Sequence, residues 1–158
     1  MRPSREMDKL LNELAVYRTE LAKGTPAQQY HRIKAIIEAL PDVNRTTDRN
    51  GVTYLMAAVM QHKADIVKLL LECGADPNQG RVDGVRPLAA VFLKQTAQQK
   101  EIVRLLIAAG ADPSLADRPG QSAFDFAEIT QAEPALIALL EEANFRLHGV
   151  PRKTSSIN

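Results

Sequence analysis

IVKLLLECGADPN, Ile66 to Asn78, returns further along the chain as IVRLLIAAGADPS, Ile102 to Ser114. Both copies keep Ile, Val, a cation and two leucines before a Gly-Ala-Asp-Pro turn, so one segment has been used twice. Landmarks upstream are duplicated as well: Asp48, Gly51, Thr53 and Leu55 precede the first copy, and Gly84, Pro87 and Leu88 precede the second. The repeated unit is therefore larger than the quoted tract.

Its period follows from the numbering. Gly51 to Gly84 and Leu55 to Leu88 are each separated by 33 residues, while Gly74 to Gly110 and Asp76 to Asp112 are each separated by 36. A 33-residue unit carrying D-x-x-G-x-T-x-L, then AA, then IVKLLL-x-x-GAD-x-N over Asp48 to Asn78 resembles the ankyrin repeat. The resemblance runs from about Ile33 to Ala143. It implies an all-α repeat solenoid in which helix-turn-helix units are joined by short β-hairpin-like fingers. Four repeats are expected, at about 7–44, 45–80, 81–116 and 117–147, the first and last divergent caps of a single domain over 1–150. Residues 148–158, with the polar ending PRKTSSIN, are expected to be unpacked.

Composition sets the class of chain. With 158 residues, 45% hydrophobic and 25% charged, the chain can build one soluble core. A net charge of +1 gives no global attraction to nucleic acid or an anionic membrane. Cys73, the one cysteine, rules out an intrachain disulfide framework. Charges at Lys68, Glu72, Arg104 and Glu141 interrupt every apolar run before it reaches membrane-spanning length. The opening MRPSREMDKL lacks the apolar core of a signal peptide, so a cytoplasmic location is expected; export signals of other kinds leave no such mark.

Apolar residues from Met7 to Leu21 follow helical spacing up to Gly24, predicting a helix over Met7–Lys23. Thr25, Pro26 and Gln28 then form a capped start for a second helix that ends at Pro41. The following PDVN, Pro41 to Asn44, reads as a degenerate GADxN. In the next unit, helices are expected from Thr53 to about Gln61 and from Ala64 to Cys73. The third unit breaks the period: Leu55 to Ile66 spans 11 residues and Leu88 to Ile102 spans 14. The surplus lies in LKQTAQQKE, Leu93 to Glu101, whose polar character places it in solvent as a longer helix or an enlarged surface turn. The last unit carries SAFDFA, Ser122 to Ala127, and a helix over Pro134–Asn144, with Glu133, Glu141 and Glu142 on its wet face.

The resemblance also exposes departures. The family's Thr-Pro-Leu-His tetrad caps the first helix through Thr and ties neighbouring loops through His. Here it reads Thr53, Tyr54, Leu55, Met56 and then Arg86, Pro87, Leu88, Ala89, so the imidazole is missing. His62 aligns with a glycine of the family pattern and does not replace it.

No catalytic chemistry is legible. His31, His62 and His148 lie in different units and lack the i, i+4 pairing of a helical metal site. Walker, dinucleotide-binding and G-x-S-x-G motifs do not occur. Cys73 stands at a helix C-terminus, where the dipole disfavours a thiolate. The expectation is no enzyme, no metal and no cofactor.

The resemblance implies that a partner protein binds the concave surface, built from the fingers and the exposed sides of the first helices. Carried over position by position, these sites are Arg49, Asn50, Val52, Met60 and Gln61 in the second repeat, and Val82, Asp83, Val85, Leu93 and Lys94 in the third. Arg118, Pro119, Gln121, Ile129 and Thr130 follow in the fourth. Arg45, Arg49, Arg81, Arg86 and Arg118 recur at or beside the fingers, accompanied by Val52, Val85, Met60 and Leu93 as exposed apolar residues. Arginine beside small apolar anchors is hot-spot chemistry, which points to an acidic patch on the partner. The competing reading is that fingertip arginines serve solubility. A monomeric, noncatalytic interaction module is expected, with no small-molecule substrate and no membrane partner. Inhibitor or immunity-like protein, adaptor, and secreted effector capturing a host protein are alternative outcomes of such binding. A nucleic-acid binder is disfavoured by the small net charge and by aromatics at 4%.

Overall fold

The computed structural model describes Arg5, Lys9 and Asn12, residues 26–46 and residues 49–152. Seven α-helices occur among the described residues: α1 (Pro26–Glu38), α2 (Tyr54–Met60), α3 (Ala64–Glu72), α4 (Pro87–Ala90), α5 (Gln99–Ala108), α6 (Ala123–Ile129) and α7 (Pro134–His148). A 3-10 turn, Val91–Leu93, continues α4. Arg5, Lys9 and Asn12 are helical, and otherwise the helix expected over Met7–Lys23 and its neighbour's cap at Thr25 lie outside the described residues.

Local chemistry explains where the helices start. The Thr53 hydroxyl accepts the Met56 N–H at 3.1 Å, satisfying one of the orphan donors of the first turn of α2. Pro87 and Pro134 open α4 and α7, where a missing N–H costs nothing. At α6 the Asp125 carboxylate receives both the backbone N–H of Ser122, at 2.7 Å, and its hydroxyl, at 2.9 Å. These two donors from Ser122 hold the Asp125 carboxyl below its usual range against the opposing effect of burial.

The helices form two layers. In one, α2, α4 and α6 pack side by side; in the other, α1, α3, α5 and α7 do so. Ala57, Ala58, Ala89, Ala90 and Ala127 are all buried, and their small side chains allow close approach in the first layer. The second layer is filled by Ile33, Ile37, Ile66, Leu70, Ile102, Leu106 and Leu140, all buried. α3 shows how one sequence stripe does this: Ile66, Val67, Leu69 and Leu70 face inward while Lys68 stays in water.

The surplus of the third unit takes the form of the enlarged turn, one of the two alternatives its sequence left open, and two other features differ from expectation. The longer third unit does not lengthen its first helix. α4 instead tightens into the 3-10 turn, and residues 94–98 form the link to α5. Next, α7 runs to His148, beyond the expected Asn144, and ends at Gly149 in a left-handed cap. Finally, residues 149–152 fold back onto the last unit rather than leaving it. Arg152 sits 4.4 Å above the Phe124 ring and pairs with Glu128, while its other nitrogen lies 4.0 Å from Asp125. Residues 153–158 lie outside the described part.

That fold-back lies against α6. Asp125 and Glu128 stand where the preceding units have Met56 and Ala89, and Val59 and Phe92, all of them buried. Charge thus replaces the apolar surface on which a further unit would rest, and Arg152 neutralises it.

Candidate protein-binding face

Each finger is a tight reversal held by its own backbone. Thr46 and Thr53 form an antiparallel bridge, the Arg81 N–H donates to the Val85 carbonyl at 3.0 Å, and the Asp117 N–H donates to the Gln121 carbonyl at 2.9 Å. Neighbouring fingers are also joined to one another. The Val82 N–H donates to the Asn50 carbonyl at 2.8 Å, and the Arg118 N–H donates to the Asp83 carbonyl at 3.0 Å. Gly84, at φ +86°, makes the second junction possible, because a Cβ there would lie 2.9 Å from the Asp117 Cα.

This framework sorts the five arginines into two groups. Arg81 pairs with Asp83 within its own finger, and Arg86 donates to the Asn78 carbonyl at 2.8 Å; both are half-buried, and the Nε of each is buried without an acceptor. Burial alone would raise the Asp83 carboxyl, but the Val85 N–H and the Arg81 guanidinium outweigh it and hold it below its usual range. Arg45, Arg49 and Arg118 are exposed. A cleft of about 220 Å³ between the fingers is lined by Asn50, Arg81, Val82, Asp83 and Arg118.

The apolar positions divide as well. Val52, Val85 and Met60, expected to be exposed, are half-buried and pack against the core. The finger valines therefore serve the fold. Val82 is 54% exposed, Leu93 55% and Ile129 66%, and Lys94 beside Leu93 is also exposed. Gln61 and Gln121 are half-buried, the former with its side-chain oxygen buried and unmatched by a donor. The Thr130 hydroxyl donates to the Phe126 carbonyl at 2.8 Å, so it ends α6. Pro119 is exposed at the fourth fingertip. Sequence reasoning passed over Phe145, Leu147 and Val150, which are exposed on and after the added turn of α7.

The polar ties between repeats, for which the missing tetrad histidine left no obvious source, come from elsewhere. Asn44 and Asn78, each the last residue of its turn motif, bridge to the Gly-Ala-Asp turn one repeat on. The extra residues of the third unit add a second set. Thr96 Oγ lies 2.6 Å from His62 Nδ1, Gln98 accepts the Ala64 N–H at 2.9 Å, and Gln95 donates to the Thr130 carbonyl at 3.0 Å. One exposed segment thus grips the repeats on both sides. The legible signal was there: every such tie joins residues separated by about one repeat.

His62 is 5% exposed and sits at φ +53°. Desolvation lowers its pKa below the ordinary value and the nearby Lys94 charge adds to this, with the Val91 carbonyl pulling weakly the other way. At the far end, His148 Nε2 lies 3.2 Å from Ser114 Oγ and 3.0 Å from Asp112 Oδ2. These residue types resemble a nucleophile relay, but both contacts use the same ring nitrogen. A relay needs the base to face serine with one nitrogen and carboxylate with the other. Burial raises the Asp112 carboxyl, yet the Ser114 hydroxyl and His148 outweigh it and hold it low. The trio is a structural rung.

Among the described residues, no group of three or more His, Cys, Asp or Glu is arranged to hold a metal ion, and no helix is long and apolar enough to cross a membrane. Residues 25–81 match the family described as ankyrin repeats (3 copies). A 47-residue stretch is 47% identical to the ankyrin repeat and MYND domain-containing protein 1 of Mus musculus; it covers 30% of this chain and 5% of that protein. Ankyrin repeats in general mediate protein-protein interaction. Helix pairs and joined fingers continue past the matched residues to the end of α7, so the described residues form an all-α repeat solenoid whose residues 25–81 are similar to ankyrin repeats.

Proposed function

We propose that the chain is a noncatalytic module that binds another protein across its fingertips and the adjoining ends of its first helices, with an acidic surface as the counterpart. One observation carries this reading. Arg49, Val82 and Arg118 occupy the same position in three successive fingers, all are exposed, and the fingers are fastened together by backbone hydrogen bonds. Fastening removes much of the ordering cost a partner would otherwise meet. Arg45, Asn50, Leu93, Lys94 and Ile129 extend the surface on either side, while Arg81 and Arg86 support it from within. In this reading the module works as a monomer in the cytoplasm. Inhibition, adaptor function and capture of a host protein by an exported chain are uses of the same face.

The test is affinity capture from extracts of the source organism, using the wild-type chain and an Arg49→Glu/Arg118→Glu variant, with bound proteins identified by mass spectrometry. The reading expects a specific partner whose capture weakens with salt and is lost in the variant. Capture of the same partner by both proteins, with the same salt dependence, rejects it.

A further inference from the structure

The fingertip row fixes a spacing as well as a charge. Arg49 precedes Val82 by 33 residues and Val82 precedes Arg118 by 36, the surplus being taken up in the link between α4 and α5. The three tips therefore keep one register, and the row reads cation, aliphatic, cation. Packed helices lie about 8–10 Å apart, so the fingers they carry recur at about that interval. A chain in the extended polyproline II form has three residues per turn and advances about 3.1 Å per residue, so every third side chain turns to the same side and meets successive fingers about 9 Å apart.

Two details favour an extended occupant over a helical one. A helix is about 10–12 Å across and needs a groove of its own width, whereas the opening between the fingers is about 220 Å³, a space for single side chains. The Asn50 and Asp83 carbonyls are already taken by Val82 and Arg118, so recognition falls to the side chains at the tips. Asp83 also restricts where an incoming acid can sit. Its carboxylate is kept ionised beside Arg81, repels a second carboxylate at that point, and leaves the outer arginine, Arg118, as the cation to be matched.

Building on the binding reading above, we infer that the fingertip row takes an extended acidic segment of a partner protein, in which a carboxylate, an aliphatic residue and a second carboxylate follow one another at three-residue intervals. The first acid meets Arg49, the aliphatic side chain covers Val82, and the second acid meets Arg118 at the mouth of the cleft. The pattern reads the same in both directions, so either chain direction satisfies the charges.

Four synthetic peptides test this by amide chemical-shift titration of the full chain. One has the order Glu-Ser-Ser-Val-Ser-Ser-Glu, a second has the same composition with the glutamates adjacent at one end, a third replaces both glutamates by lysine, and a fourth places the acids and the valine at seven-residue helical spacing. The expected result is binding of the first peptide with shifts centred on the Val82 and Arg118 amides, about tenfold tighter than the second. Arg49→Glu/Arg118→Glu should lose the first peptide and gain the lysine peptide. Equal binding of the first two peptides, tighter binding of the fourth, shifts centred elsewhere, or no binding by any of them overturns the spacing. If the native partner is still captured through Arg49 and Arg118, the overall binding reading survives that failure; if that capture also fails, both fall.

Discussion

The Asn78 side-chain oxygen accepts the Asp112 N–H at 2.8 Å while its nitrogen donates to the Gly110 carbonyl at 3.0 Å. One repeat earlier, Asn44 does the same for Asp76 and Gly74, at 2.7 and 3.3 Å. A single amide thus satisfies a donor and an acceptor in the turn that follows the next repeat's second helix, beyond the reach of the helix's own hydrogen bonds.

Replacing Asn78 by Ala should cost about 1–3 kcal/mol in a urea-unfolding measurement, because both bonds go and the Asp112 N–H is left unmatched. Asn78→Asp keeps the acceptor and loses the donor, and should fall between the two. Equal stability of Asn78→Ala and the wild type would show that water serves these groups as well as the amide does.

Gly84 and Gly110 both have positive φ, +86° and +96°, but a Cβ at Gly84 meets the Asp117 backbone and one at Gly110 meets nothing within 4 Å. Gly110→Ala should therefore show the left-handed backbone penalty alone, about 1–2 kcal/mol. Gly84→Ala should cost more and should also speed hydrogen exchange of the Arg118 amide, whose bond crosses that junction. Matching stability losses for the two variants would contradict the contact.

His62 makes stability depend on pH. Its folded pKa lies below the ordinary value of 6.5, so the unfolded chain takes up a proton first as pH falls. Its contribution is complete above 6.5 and is lost as pH drops from there through the folded value. Urea midpoints should therefore decline over that window in the wild type and change less in His62→Asn, since asparagine tolerates the left-handed backbone. An identical decline in both proteins would assign the effect to other groups.

Arg152→Ala removes a cation from the Phe124 ring and from the Asp125 and Glu128 carboxylates. The expected loss is about 1 kcal/mol, as befits partly exposed pairs and one stacked guanidinium. Hydrogen exchange should quicken in α6 and α7 and stay unchanged in α2 and α3. A uniform change across the stack would argue against a local clamp.

The helices were legible because their signals are local. Apolar spacing in IVKLLLE, the cap at Thr53 and the helix-opening prolines act within a turn of where they stand in sequence. The finger arginines were legible as a set, but not their division. Whether Arg81 meets a partner or Asp83, and whether Val85 faces water or the core, depends on how adjacent fingers are placed. The Thr96 to His62 tie shows the same limit. The surplus residues looked like a solvated turn because their composition is polar, and composition says nothing about which polar group across the repeat receives them. Likewise the polar letters after Leu147 concealed Arg152, whose partners Phe124 and Glu128 are set by the back-folded chain.

A stack whose two ends were both apolar would accept another copy head to tail, and because that contact never closes on itself, it would grow into fibres. The carboxylates of Asp125 and Glu128, held under Arg152, deny the end of α6 to such a copy. Docking there would bury two carboxylates together with their cation, so the charged end of α6 works against fibre growth while leaving the finger row untouched.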